Sequence, residues 1–550
     1  MANGALTVEA HDAGPRESWR AMVVIALGQA LLSFNFNAVL VSINGISASF
    51  DIPPTTVATA IVTYSLAVAG FVMLGAKLGQ IFGSLNVFRA STAIFAVAMA
   101  IMTFSPNALT MIAAQAVAGL AAAALDPALL VLIANNYKGR QQEQALGILG
   151  GVGAMASVLS FLVAGALGTW VGWRYAFALL AAIALLTFFL SWSLKPVPAV
   201  PGVRIDMLGV VLAAAAITLI SLGANNLSRW GLLTAAPNSP LDLLGLSPAL
   251  IMVAIGIILG QGFVAWSHRR MAAGRMPLVS LTVIEAPQER SAVFSILAIS
   301  ALGGAIGFLT PLYIEVVQGR TSLQTAAALM PYQAAISVAA ILIVRLYARL
   351  SPRQISRCAF TSMAIGLAAL ATAIGNEWSK APVIAGLLLV GLGKGALGTL
   401  LFNVLVTASP KKLAGDVSAL RSTAINLGAG VGTALVGSLA VGILGANIQR
   451  GVSDNPAMPT ELIQQVNLDN VTFISNNRLM AVMAGTTATP EQVAEAMRIN
   501  IEARLSGLRT SLLILAGVAL LMIFPAGRLP SYVRGDLPGV PRKGPDDAET

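Results

Sequence analysis

The sequence predicts an all-α polytopic membrane protein with fourteen transmembrane helices, and three observations predict it. Of 550 residues, 57% are hydrophobic and only 10% are charged, against roughly 25% charged in a soluble domain. Mean hydropathy is +0.81. The apolar residues also gather into fourteen runs, each close to or above the roughly 20 residues that cross a hydrocarbon core of about 30 Å.

The runs lie near 20–46, 56–78, 88–107, 109–136, 143–169, 173–194, 206–224, 247–266, 290–317, 323–346, 355–374, 382–407, 417–447 and 509–526. Residues 1–18 are polar and precede a run long enough to span, so no cleavable signal is expected. Runs that exceed the bilayer thickness are expected to tilt or to extend beyond it. The seventh and eighth runs flank a Gly/Pro/Ser-rich loop. The longest connection, 448–508, ends in an amphipathic stretch at 489–508 (Val493, Met497, Ile499, Ile501, Leu505), expected to be a small helical cap. The tail 530–550 is rich in Pro and charge and is expected to be disordered.

Lys and Arg set the orientation. With an even number of spans, one side carries Arg16, Arg20, Lys77, Arg89, Lys138, Arg140, Lys195, Arg204, Arg269, Arg270, Arg275, Arg290, Arg345, Arg349, Arg353, Arg357, Lys411 and Lys412. The short connections on the other side hold little beyond Arg174, Arg229, Arg320 and Lys380. The positive-inside rule therefore places both termini in the cytoplasm of a multi-pass inner (plasma) membrane protein. The net charge of +10 is a topology signal, and no nucleic-acid partner is expected. A single cysteine, Cys358, forbids an internal disulfide. His11 and His268 lack ligand spacing, and neither a phosphate-binding loop nor a Ser/His/Asp set occurs. No metal, no cofactor and no enzymatic activity are expected.

Residues 119–126 read GLAAAALD and residues 391–398 read GLGKGALG. The shared Gly-Leu-small-x-small-Ala-Leu pattern lies in the fourth and twelfth runs, as an internal duplication would place it if runs seven and eight are an insertion. The expected organisation is 6+2+6: a segment 1–18, a six-helix bundle 19–195, two inserted helices 196–270, a second six-helix bundle 271–527 that includes loop 448–508, and a tail 528–550. The substrate site of such a duplicated transporter lies between its halves.

Several stretches resemble the major facilitator superfamily in its fourteen-helix drug:proton antiporter branch. They are LGAKLGQIFG (74–83) between runs two and three, GWRYAF (172–177) opening run six, DMLG (206–209) opening run seven, PLVSL (277–281) before run nine, and YIEVVQG (313–319) leading to Met330-Pro331. The resemblance covers about residues 20 to 527 and implies a major facilitator fold with alternating access. It also implies a cytoplasmic gating loop containing Gly75, Lys77, Gly79 and Gly83. This chain departs from the family at charged positions. Asn35 stands for the first-span acid, Gln115 for the fourth-span Arg, Gln80-Ile81 and Ser84-Leu85-Asn86 for the loop charges, and Ser160-Phe161 for the fifth-span Gly-Pro.

An ionised group inside hydrocarbon costs roughly 2.5 kcal/mol or more, so embedded charges point to function. Asp126, directly before Pro127, suits cation binding or proton exchange. Lys394, between Gly393 and Gly395, suits binding an anion or neutralising Asp126, and the two are expected to be coupled across a cavity. A permanent bridge or a snorkelling lysine is the plainer alternative. Asn35 and Asn37 put amides into the first span on opposite faces, since two residues turn about 200°. Asn35 suits lining the cavity with Gln115 or bonding it across helices. Glu315 lies near the outer end of the ninth run, as a pathway acid or as an interfacial group. Arg345 and Arg349 belong to a cytoplasmic cluster that fixes topology and binds anionic lipid, with gating as a second role.

The expected function is secondary active transport of small amphipathic or drug-like molecules, with efflux coupled to protons or another ion, by a monomer in the lipid bilayer. The alternatives are a facilitator or importer of a polar or anionic metabolite, and a transport-dead sensor or assembly partner.

Overall fold

The computed structural model describes residues 18–531, apart from 232, 236–238, 241–244, 347–349, 376–379, 409–413, 454, 456–457, 459–472 and 474–475. Arg349 and the tail beyond 531 lie outside the described residues, as does the side chain of Arg345.

Among the described residues fourteen helices are long and apolar enough to cross a membrane: Arg20–Val41, Pro54–Phe82, Ser84–Thr103, Ala108–Asn136, Gly147–Trp170, Arg174–Ser193, Met207–Leu227, Pro248–Ala272, Pro287–Val317, Ser322–Ile343, Pro352–Ala373, Ala381–Leu405, Asp416–Ser453 and Pro490–Ala526. Their starts follow local chemistry. Proline occupies the first turn of the second, eighth, ninth, eleventh and fourteenth spans, where its missing N–H costs no hydrogen bond. The side chains of Asn107, Asp206, Ser247, Ser351 and Thr489 cap N-terminal amides of five spans.

Three expected boundaries are corrected. The first run is two helices, since the chain breaks at Ser42 and resumes as Ile43–Phe50. The stretch 74–82 is helical, not a loop, because nothing in it breaks a helix before Gly83, whose φ of 83° makes the turn. The amphipathic stretch 489–508 is no separate cap: with no proline between Pro490 and Leu521, one helix runs through both. Its apolar face packs on the far end of the thirteenth span, where Ile499 meets Val452 in a small core with Leu479 and Met483.

Helix packing repeats with a step of eight spans. The first packs on the fifth as the ninth does on the thirteenth. The second packs on the fourth as the tenth does on the twelfth, and the third on the fourth and sixth as the eleventh on the twelfth and fourteenth. Two long seams join these groups, second span to thirteenth and fifth to tenth. The seventh span lies against the second and thirteenth, and the eighth packs chiefly on the seventh. Asp206 ties that pair together, capping the seventh span while accepting from Trp266 Nε1 at 3.0 Å and Arg270 Nη1 at 3.3 Å on the eighth.

Fourteen crossings put residues 18 and 531 on one side, the terminal face. At the opposite face the seams are shut. The Asn44 N–H donates to Glu315 Oε2 at 3.0 Å, and the Leu323 N–H to Thr169 Oγ1 at 3.0 Å. A Cβ on Gly165 would stand 2.8 Å from Ala326 Cβ, so the fifth and tenth spans touch backbone to backbone. Toward the terminal face one side of the fifth span is open: a Cβ on Gly147, Gly150 or Gly151 would meet nothing within 4 Å, and Met155 is 65% exposed, while Ala145 and Leu149 of the same helix pack in a core with Leu125 and Leu129.

Candidate functional site

Pro127 sits within the fourth span and leaves the carbonyl of Ala123, four residues back, without its helical donor. The second span approaches that carbonyl through Gly75, where a Cβ would lie 2.3 Å from the Ala123 oxygen. Glycine is required there for contact, so Gly75 acts as a packing residue inside a helix. Gly79 faces Ser84 across the turn, Gly83 forms the turn against the Val197 carbonyl, and Lys77 is half-buried on the same helix.

Around this kink the polar residues of the central spans assemble. Asn35 and Gln115, both fully buried, exchange two amide hydrogen bonds of 3.0 and 3.2 Å. The reciprocal pair uses the donor and acceptor of each amide, so the interhelical reading of Asn35 holds. The Tyr64 hydroxyl adjoins Asn35 and lies within the field of Asp126. Asp126, half-buried, accepts from Ser422 Oγ of the thirteenth span at 2.7 Å. Ser422 in turn accepts from Asn426 Nδ2, on its carbonyl at 2.9 Å and on its hydroxyl at 3.4 Å. Asp126 acts electrostatically on Arg421, the neighbour of Ser422, whose guanidinium stands 4.6 Å from the centre of the Phe402 ring. Asn37 is buried apart from this chain of contacts, in keeping with its opposite helical face.

The expected pairing of Asp126 with Lys394 is corrected. No ion pair within 4 Å joins them; Asp126 bonds Ser422 of the thirteenth span and acts on the neighbouring Arg421 only through its field. Lys394 turns instead into its own helix group: its Nζ lies 5.4 Å from the centre of the Tyr332 ring, and a Cβ on Gly303 would stand 2.8 Å from that nitrogen. The reason is lateral. The twelfth span packs on the ninth, tenth and eleventh, and these hold the lysine stem on their side of the seam. Arg421 was missed because it lies five residues inside its apolar run, close to the basic connection Lys411-Lys412, where positive charge reads as topology. An Arg that deep in a run is the signal that could have found it.

Glu315 is another correction to the interfacial alternative. It is 1% exposed within a π-helical turn, Leu312–Val317, that follows Pro311. Its Oε2 takes the Asn44 N–H, and the hydroxyls of Ser322 and Thr325 adjoin the carboxylate. Near the same face Trp173 is buried and donates from Nε1 to Ser49 Oγ at 2.9 Å. Among the described residues, no group of three or more His, Cys, Asp or Glu could hold a metal ion.

The family model described as Major Facilitator Superfamily matches residues 25–285 and 282–433. The multidrug efflux pump LfrA of Mycolicibacterium smegmatis is 26% identical over 438 residues, covering 79% of this chain and 83% of the relative. The puromycin resistance protein pur8 of Streptomyces alboniger is 26% identical over 446 residues, covering 78% and 83%. Among solved structures, the POT family transporter PepTSo superposes with a TM-score of 0.57 at 14% identity, over 93% of this chain and 97% of that one. A D-xylose–proton symporter gives 0.56 at 11% identity, over 93% and 98%.

Proposed function

Because the chain belongs to the Major Facilitator Superfamily, we propose that it is a secondary active exporter of small amphipathic, drug-like molecules, working by alternating access and coupled to an ion gradient. One observation carries the reading. A polar cluster spans the seam between the fourth and thirteenth helices at Asp126–Ser422, while the opposite face is shut by Asn44–Glu315 and Thr169–Leu323. A polar site closed toward one face, with one side of a helix open toward the other, is what one state of an alternating-access carrier needs. The efflux pump and resistance proteins among its relatives support the class of cargo.

In this reading the eight-span step in packing is a duplication. Spans one to six (19–195) and nine to fourteen (271–527) are two rocking bundles, and spans seven and eight (196–270) are inserted between them. The excess of Lys and Arg on the terminal face puts that face in the cytoplasm and the chain in the inner membrane. The structure is then inward-facing. Protons are the coupling ion, carried by Asp126 and Glu315, since Asn35 occupies the place of the first-span acid. Asp126 competes for Arg421 and Ser422, and a proton on its carboxyl releases both.

The test is dye uptake into inverted vesicles with an imposed proton gradient. Gradient-driven accumulation of ethidium or a comparable amphipathic dye is expected, with collapse on adding a protonophore. Flux unaffected by the gradient, or no flux across a dye and drug panel, overturns the reading.

A further inference from the structure

Two glycines mark equivalent places in the two helix groups. A Cβ on Gly119 would lie 2.5 Å from the Tyr64 carbonyl and 2.7 Å from Ala67 Cβ; one on Gly391 would lie 2.5 Å from the Tyr332 carbonyl and 2.8 Å from Ala335 Cβ. Tyr64 and Tyr332 are therefore counterparts, one on the second span and one on the tenth. Their surroundings differ. The Tyr64 hydroxyl has Asn35 of the first span beside it. The Tyr332 side chain is 4% exposed, and its hydroxyl has no hydrogen-bond partner. On the ninth span, counterpart of the first, Gly303 leaves room against the twelfth span.

Into that space comes Lys394. Its ammonium lies over the Tyr332 ring and against Gly303, half-buried, with no carboxylate within ion-pairing distance among the described residues. The other central cation, Arg421, lies within the field of Asp126. Gly303 is one helical turn from Gly307, which meets Leu40 of the first span, so the place borders the seam between the helix groups. An ammonium and a phenol hydroxyl, adjacent and both lacking an acceptor, form a donor set waiting for an anion. The Tyr332 ring adds an aromatic surface to the same place.

We propose that Lys394, Tyr332 and Gly303 form an anion subsite of the transport cavity, and that it takes cargo carrying a carboxylate or similar anionic group on an aromatic body. The inference rests on the transporter reading for its setting and deepens it by naming the cargo's chemistry. Lys394 supplies charge-assisted hydrogen bonds, Tyr332 one further O–H donor, and Gly303 the room for the anionic oxygens.

The experiment is equilibrium binding to the full chain in nanodiscs, read by fluorescence anisotropy, with fluorescein as the aromatic carboxylate and ethidium as the aromatic cation. The wild type is expected to bind fluorescein, and Lys394→Met to lower the ratio of fluorescein to ethidium affinity by about tenfold or more, the loss of one charge-assisted contact. Lys394→Arg should keep much of the ratio, and Tyr332→Phe should lower it in the same direction. Ethidium binding in the same sample reports that each variant is folded. A wild type that does not bind fluorescein, or a Lys394→Met ratio that moves less, overturns the subsite. Vesicle transport separates the two failures: ethidium driven by the gradient with no fluorescein bound leaves the exporter standing and removes the subsite.

Discussion

Asp126 is bonded by Ser422 of the thirteenth span and acts electrostatically on the neighbouring Arg421, and that setting decides what its substitution should do. Asp126→Asn keeps a hydrogen-bonding group for Ser422 but leaves Arg421 without its counter-charge. Uphill dye transport in vesicles should fall by about tenfold or more, whereas downhill exchange at equal pH should survive. If uphill and downhill rates fall together, Asp126 is structural. Glu315 is the second acid to probe. Its carboxylate takes the Asn44 N–H across the shut face, and truncating one partner of a buried bond costs about 1–3 kcal/mol. Glu315→Ala should therefore loosen the seal, seen as faster labelling of a cysteine placed at Leu40 by an impermeant maleimide added from that face. Unchanged labelling would remove the seal role. The charged candidates were legible because each stands alone in an apolar run. Their partners were not, since Ser422 and Arg421 lie 296 and 295 residues away in the chain from Asp126 and no local pattern links them.

At the scale of helices, glycine sets how near two axes can come. A Cβ on Gly432 would lie 2.0 Å from the Ala301 carbonyl, and one on Gly75 would lie 2.3 Å from that of Ala123. In each case a backbone atom is the obstacle, so neither helix can yield by a rotamer change. Gly432→Val should lower the melting temperature of the detergent-solubilised protein by several degrees, as overpacking of about 1–3 kcal/mol implies. Gly147→Ala, with nothing near its Cβ, should be neutral or slightly stabilising, because alanine favours helix. Equal effects of the two would show that contact is not what these glycines serve. Fourteen spans could be counted from hydropathy alone, because in hydrocarbon every backbone group must be bonded within its own helix. Their ends were less legible. Hydropathy marks where a helix enters oil, while the cap and the next breaker mark where it stops. Hence 74–82 continued as helix to Gly83, and the fourteenth span began at Pro490 instead of near 509.

For the whole molecule, the shut face offers a direct test of rocking. A Cβ on Gly168 would stand 3.5 Å from Ser322 Cβ, at the short end of the roughly 3.5–4.5 Å that a disulfide requires. The pair Gly168→Cys/Ser322→Cys, in a Cys358→Ser background, should cross-link on mild oxidation, stop transport, and recover with reductant. Transport that persists through complete cross-linking would mean that the fifth and tenth spans need not part. Residues 119–126 and 391–398 share a pattern in the sequence, and in the structure Gly119 and Gly391 meet Tyr64 and Tyr332 in the same way. What the repeat concealed was the difference between its copies, an amide-satisfied Tyr64 against an unsatisfied Tyr332.

The thirteenth helix continues for 38 residues, about 57 Å at 1.5 Å per residue, nearly twice an oily layer of about 30 Å. Its free end is clamped to the start of the last helix by Asn447–Ser506 at 3.0 Å and by Gly451 against Ile499. The pair is thus a rigid mast fixed to a single lobe. Small angular swings at its base become large displacements at its tip, so a dye fixed near Ser453 would act as a pointer, reporting each turnover from outside the bilayer without touching the cargo's route.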